Sequence, residues 1–331
     1  MGGLRISTVE MHTGGEPVRI VTGGWPPVEG DSILAKRRFV TLQHDHLRRF
    51  LMHEPRGHAD MYGVLPVEPT LPGADMAVLF MHNAGWSTMC GHATLALARY
   101  ALDCGIVRAE RGKAQLALEV PCGLVRVELD TGSGHARFVS VPAFAWALDT
   151  VLDVAGLGPV TVDVGYGGAF YALCPAAGFG LDVRTSRTRD LVDVAAAITE
   201  AGRAQLALEH PDDPDLAFLY GTILTDGGEG LERASANICV FAEREVDRSP
   251  TGSGVTARMA VLHRRRRVRE REPRFFASVT GAVFTGEIVA ETRAGPHRAV
   301  QVEVGGRAHY TGEAVFTAED DDPLREGFLL R

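Results

Sequence analysis

Short apolar or alternating runs, each closed by glycine, proline or an acidic turn residue, recur along the whole chain. In the first half, residues 78–81, 115–120, 124–129, 137–141 and 160–164 read as strands. The second half repeats the pattern at 217–224, 236–242, 274–280, 286–290 and 299–304. Helical periodicity is rarer, and its clearest segments are 93–102, 191–200 and 255–265. The 38 glycines and 17 prolines supply turns between these elements. Many short strands, mostly antiparallel, with few helices in each half predict an α+β protein.

A length of 331 residues suggests about two domains. The chain also echoes itself at about half its length. The block Cys90-Gly91-His92-Ala93-Thr94 lies 161 residues before Thr251-Gly252-Ser253-Gly254-Val255. Each has a small polar side chain, a glycine, a second polar residue and then a helix. Gly14-Gly15 and Gly167-Gly168 repeat at an offset of 153. A boundary is expected near residues 147–158, giving halves of 1–150 and 151–314.

Composition narrows the class. Hydrophobic residues make up 45% and charged residues 23%, the balance of a soluble globular chain. The run at residues 76–81 is among the longest apolar stretches, far below the roughly 18–20 residues that cross a bilayer. The first residues lack the basic-then-apolar pattern of a secretion signal. A cytoplasmic protein with no membrane association is therefore expected. Lys and Arg total 34 against 42 Asp and Glu, a net charge of −8. That disfavours a nucleic-acid partner, whose phosphates need a cationic face. One basic run, His263 to Arg267 with Arg269, Arg271 and Arg274, reads as a solvated helix end or, alternatively, a site for an anion. The cysteines are odd in number and form no CxxC pair, so a structural zinc site is not expected and the thiols should be reduced.

Chemistry concentrates at the two echoing blocks. A thiol at a helix start feels the positive end of the helix dipole, which favours the thiolate and so a base near neutral pH. Free N–H groups at the same place can bind a carboxylate, and Gly91 lets the backbone come close to it. Thr251-Gly252-Ser253 offers a matching set. Spacing alone leaves two readings open: a carboxylate clamp with one reactive sulfur, or a buried helix-start cysteine and an ordinary threonine cap.

The motifs Met89-Cys90-Gly91-His92-Ala93, Met11-His12-Thr13-Gly14-Gly15-Glu16-Pro17 and Asp247-Arg248-Ser249-Pro250-Thr251-Gly252-Ser253-Gly254 together resemble the proline racemase superfamily. The stretches at residues 54–63, 221–224, 309–312 and 319–324 resemble its 3-hydroxyproline dehydratase branch. The resemblance spans nearly the whole chain. It implies two pseudo-symmetric domains, each a curved, mostly antiparallel sheet or barrel around a central helix. A C-terminal tail, from about residue 315, would complete the first domain. It further implies an active site in the interdomain cleft, no cofactor, no metal, an imino-acid substrate and a homodimer.

Racemases and epimerases of this kind place one cysteine on each face of the α-carbon. Cys90 matches the first. Thr251 occupies the second position, and a threonine hydroxyl is too weak a base to act alone. The resemblance therefore implies a hydro-lyase, trans-3-hydroxy-L-proline dehydration by Cys90, with 4-hydroxyproline 2-epimerisation or proline racemisation as the alternative. In it, Gly91, His92, Gly252 and Ser253 bind substrate and Asp247 takes the ring nitrogen. His12 is expected in a loop near the site, and Phe170 is a candidate wall of the ring pocket. His44, His46, His53 and His58 read as surface or structural. Rivals of other classes are a cysteine hydrolase and a non-catalytic imino-acid binder.

Overall fold

The structure, a computed structural model, describes residues 3–330. Its contacts divide the chain into two compact units, Arg137–Gly306 and the remainder on either side of it.

In the first unit, β1 (Arg5–Thr13) and β2 (Glu16–Gly23) form a hairpin. Its turn, Gly14-Gly15, has both residues at positive φ, 64° and 92°, which glycine adopts without steric penalty. Helices α1 (Ile33–Gln43) and α2 (Asp45–Met52) follow. Then β3 (Tyr62–Val67) joins β2 in parallel and β4 (Met76–His82) returns antiparallel to it, with β5 (Trp86–Ser87) on its edge. Helix α3 (Gly91–Asp103) comes next, and β6 (Ala109–Glu110) leads into β7 (Lys113–Val120). β7 pairs in parallel with β4 and antiparallel with β8 (Gly123–Asp130). β9 (His135–Val139) carries the chain across the unit boundary.

In the second unit, the hairpin of β10 (Phe144–Val154) and β11 (Gly158–Tyr166) is followed by β12 (Phe170–Pro175) and α4 (Thr188–Gln205). β13 (Leu219–Thr225) joins β12 in parallel, and β14 (Ser235–Phe241) and β15 (Glu245–Asp247) continue antiparallel. After α5 (Gly252–Arg264), β16 (Arg274–Ala277) pairs in parallel with β14. β17 (Val283–Ala294) and β18 (His297–Thr317) complete the series. Ala143 bridges to Val300, and Ser140 N–H donates to Val302 O at 2.9 Å, so these strands close into a barrel. β18 runs past the boundary at Gly306, and its far end, itself part of the first unit, pairs with β1.

The same order of pairings thus occurs twice. A hairpin, a helical stretch (α1 and α2 in the first unit, α4 in the second), a parallel step, an antiparallel return, a short strand, a 13-residue helix and another parallel step appear in each unit. The two glycine pairs occupy the equivalent turns β1–β2 and β11–β12.

The 13-residue helices are the centre of each unit. α3 is buried from Gly91 through Ala98, and α5 from Gly252 through Val261, on every face. A helix apolar or small-chained all round is one surrounded by other elements. α3 packs on β1, β2, β7 and β8, and α5 on β10, β11, β12 and β17. Their alanines and glycines keep the cylinders thin enough to enclose. β4, β13 and β14 are buried at every position, so they read as continuous apolar runs rather than alternating ones. By contrast α4 is amphipathic, turning Leu191, Ala195 and Ile198 inward to the core of Phe144, Val162 and Ile238.

Every strand and helix read from the pattern has a counterpart in these elements. The unit boundaries fall at 136/137 and 306/307 rather than the expected 150/151 and 314/315. Residues 144–154 form one strand with an irregular register between Ala145 and Thr150, and Asp149 sits at φ 54°. That irregularity broke the strand pattern and made it look like a linker. α1 and α2 escaped the pattern because cations lie on their inner faces. Lys36 reaches Glu68 O and Arg48 reaches His82 O, both at 2.8 Å, and both side chains are buried.

Gly167 shows how tightly α5 is held. A Cβ there would lie 2.2 Å from Ser253 O and 2.6 Å from Ala257 N, both backbone atoms of the helix. Gly167→Ala should therefore lower stability by about 1–3 kcal/mol or more, since overpacking here must displace backbone. Chemical denaturation measures it, and an unchanged midpoint would contradict this packing.

Candidate active site

Cys90 is the N-cap of α3, with extended backbone and its Sγ accepting from Ala93 N–H at 3.3 Å. It is 3% exposed. Extended backbone at the cap turns the side chain back over the first helical turn, which brings it to His92. Sγ lies 3.2 Å from His92 Nδ1 and 3.5 Å from Nε2. The motif is fixed from several sides. Thr94 Oγ1 donates to Cys90 O at 2.7 Å, and Thr13 Oγ1 donates to His92 O at 2.8 Å. The Tyr62 ring meets the His92 ring edge-on at 4.8 Å, and the Tyr62 hydroxyl is itself bonded to Ser87 Oγ. This gives a thiol at a helix N-terminus with an imidazole in contact.

Thr251 holds the equivalent place before α5, but its backbone differs. Its φ of 65° and ψ of 91° put a β-branched residue in the left-handed half of conformational space, a genuine outlier. Side-chain bonds hold the preceding loop. Asp247 Oδ1 accepts Ser249 N–H at 2.7 Å, Ser249 Oγ accepts Thr251 N–H at 3.1 Å, and Asn237 Nδ2 donates to Pro250 O at 3.3 Å. Asn237 is in turn held by Arg258 of α5 (Nη1 to Oδ1, 3.0 Å), which also donates to Ser235 Oγ at 2.7 Å and Gly228 O at 3.1 Å. Burial pulls the Arg258 guanidinium down to about 10, with Asp226 opposing it.

One hydroxyl in this loop has no partner among the described residues. It is Thr251 Oγ1, which is buried and makes no cap bond to the helix. Asp247 is buried in the same loop, its Oδ1 accepting Ser249 N–H. The first N–H groups of α5, at Gly252 and Ser253, lack intrahelical partners, as helix starts do. Ser253 Oγ is bonded to the Tyr171 hydroxyl at 2.7 Å.

Cys90, Gly91 and His92 thus come together in one unit, and Asp247, Thr251, Gly252 and Ser253 in the other. Phe170 belongs to the hydrophobic core of the second unit. It is fully buried against Phe144 and Tyr166, and the neighbouring Tyr171, on the opposite strand face, is the residue that meets the α5 start. His12 lies in strand β1, not in a loop, stacked on His309 at 5.4 Å and accepting Gly15 N–H through Nδ1. His53 contacts Asn83 O at 2.8 Å, and burial lowers its pKa. Among the described residues, no three His, Cys, Asp or Glu side chains form a group that could hold a metal ion. No described helix is long and apolar enough to cross a membrane.

Sequence reasoning missed Tyr62, Ser87, Thr13, Tyr171, Ser249, Asn237 and Arg258. One signal was available: Tyr62-Gly63 and Tyr220-Gly221 open the equivalent strands β3 and β13, and Tyr220 packs edge-on against Tyr171 at 5.8 Å.

The sequence and the fold have counterparts among known proteins. The proline racemase family model matches residues 8–329, and the chain belongs to that family of enzymes. A solved structure of a hydroxyproline epimerase from Agrobacterium vitis, with bound trans-4-OH-L-proline, has the same fold with a TM-score of 0.92. It is 26% identical, over 99% of this chain and 96% of that one. Trans-3-hydroxy-L-proline dehydratase of Homo sapiens is 55% identical over 335 residues, covering 98% of this chain and 95% of the relative. A 3-hydroxyproline 2-epimerase of Burkholderia multivorans is 43% identical, covering 98% of each.

The Tyr171–Ser253 contact ties β12 to the start of α5. Tyr171→Phe keeps the ring packing and removes one buried hydroxyl pair, so stability should fall by about 1 kcal/mol. A denaturation midpoint equal to that of the unaltered protein would show that the contact holds nothing.

Proposed function

We propose that this chain dehydrates trans-3-hydroxy-L-proline to Δ1-pyrroline-2-carboxylate and water, with Cys90 as the acid/base. The observation that carries the proposal is the pair of helix caps: a thiol at Cys90 and a hydroxyl at Thr251 in the equivalent position. One helix start has a base and the other does not. The names of the relatives at about 55% identity agree.

In this reading the substrate carboxylate is taken by N–H groups at the helix starts, Gly91 and His92 from one unit, Gly252 and Ser253 from the other. Asp247 Oδ2 takes the ring ammonium. The Cys90 thiolate removes the α-proton. In trans-3-hydroxy-L-proline the α-hydrogen and the 3-hydroxyl both lie on the face opposite the carboxylate. The new Cys90 thiol, or His92 beside it at 3.2 Å, therefore protonates the departing hydroxyl on the same face. The Cβ–O bond breaks, a Cα–Cβ double bond forms, and water leaves. The resulting enamine tautomerises to the cyclic imine. Thr251 meets the opposite face with a hydroxyl that shapes and hydrogen-bonds but takes no proton.

A second reading, 2-epimerisation, draws on the Burkholderia multivorans relative. It needs a base on the second face, and Thr251 argues against it.

The test is the formation of the imine, trapped with o-aminobenzaldehyde, from trans-3-hydroxy-L-proline. The unaltered enzyme should produce it. Cys90→Ser should fold normally and lose at least roughly 10²–10⁴-fold in rate, the usual worth of a positioned acid/base. Absence of the imine, or a Cys90→Ser variant of similar rate, would refute the assignment.

A further inference from the structure

The basic run after α5 is mostly exposed, and its arginines differ in whether a carboxylate pairs with them. Arg265 pairs with Asp149 at 2.7 Å and Asp163 at 2.6 Å, Arg267 with Glu229 at 3.2 Å, Arg271 with Glu287 at 3.5 Å and Arg274 with Glu272 at 3.3 Å. Arg264 and Arg266, interleaved with these, have no carboxylate partner among the described residues. Both line a cleft of about 430 Å³ in the second unit, together with Arg293 and Arg298 from the β17–β18 hairpin. Those two also have no carboxylate partner, and Arg293 donates only to Pro296 O at 3.3 Å.

Four guanidinium groups therefore share one concavity in a chain of net charge −8. The wall also holds one carboxylate, Glu291, which His263 Nε2 contacts at 3.1 Å. The floor is small and apolar, with Ala260 and Val300 in it. Arg266 sits at φ 59°, just past the helix end, where glycine is the favoured residue. An arginine here forgoes the easier backbone and brings its charge to the cleft.

We propose that this cleft binds a small organic anion carrying two or more phosphate or carboxylate groups. Guanidinium forks match such oxyanions in pairs, and four unpaired forks need more than one anionic group. The apolar floor suits the body that carries them. The site is separate from the residues assigned to the dehydration, so it stands or falls independently of that reading.

Calorimetric titration at low salt with tripolyphosphate and, separately, with citrate tests it. Saturable binding of at least one is expected, weakening as salt rises. Tripolyphosphate alone would identify a phosphate ligand and citrate alone a polycarboxylate. The variant Arg266→Gly with Arg298→Ser should bind at least tenfold more weakly while keeping its melting temperature and its turnover. The glycine relieves the left-handed backbone, so the fold has no reason to suffer. No saturable binding by the unaltered protein, or undiminished binding by a folded double variant, would overturn the proposal.

Discussion

Everything in this molecule depends on sheathing two helices so completely that only their first turns remain for chemistry. α3 and α5 are buried on all faces for most of their length, and a helix in that position must be built of small residues. That requirement writes the sequence. It explains the glycines and alanines, the close approach of Gly167 to the backbone of α5, and the apolar strands β4, β13 and β14. It also decides where reactivity can sit. A sheathed helix has satisfied carbonyls and packed sides, and its open N–H groups lie at one end. Cys90 and Thr251 stand at those ends.

The two ends are not built alike. Cys90 has ordinary extended backbone and a side chain that caps its helix. Thr251 is in a left-handed conformation, which for such a residue costs roughly 1–3 kcal/mol, and its hydroxyl caps nothing. The chain from Arg258 through Asn237 to Pro250, with Ser249 and Asp247 alongside, holds that conformation in place. A strained backbone together with an orphan buried hydroxyl has no structural benefit in the free protein. In the proposed reaction the substrate supplies the partner that Thr251 Oγ1 lacks among the described residues. In the proposed reaction that asymmetry divides the labour: one end would supply a proton acceptor, the other only contact.

Much of this was legible in the chain. The repeat of Cys90-Gly91-His92 as Thr251-Gly252-Ser253 located both helix starts, because cap chemistry is local; the glycine pairs were legible as a repeat, but that each closes a hairpin is seen only in the strand pairing. The unit boundaries were less legible. β10 contains an irregular register around Ala147 to Thr150, and its pairing with β11 is fixed by contacts that the local pattern does not contain. Phe170 and Tyr171 show the limit most clearly. They are adjacent and both aromatic, and only the direction of the pleat decides that one enters the core and the other reaches Ser253. Arg258 was hidden for a different reason: a buried cation within a helix of small residues reads as surface until its three carbonyl and side-chain acceptors are seen.

The central claim is that proton transfer at the α-carbon occurs from one face only. It is tested most directly by incubating the unaltered enzyme with trans-4-hydroxy-L-proline in D2O and analysing the recovered imino acid for configuration and deuterium. The account predicts that the recovered material keeps its configuration, because Thr251 delivers no proton to the second face. Recovery of the inverted epimer carrying deuterium at the α-carbon would contradict it.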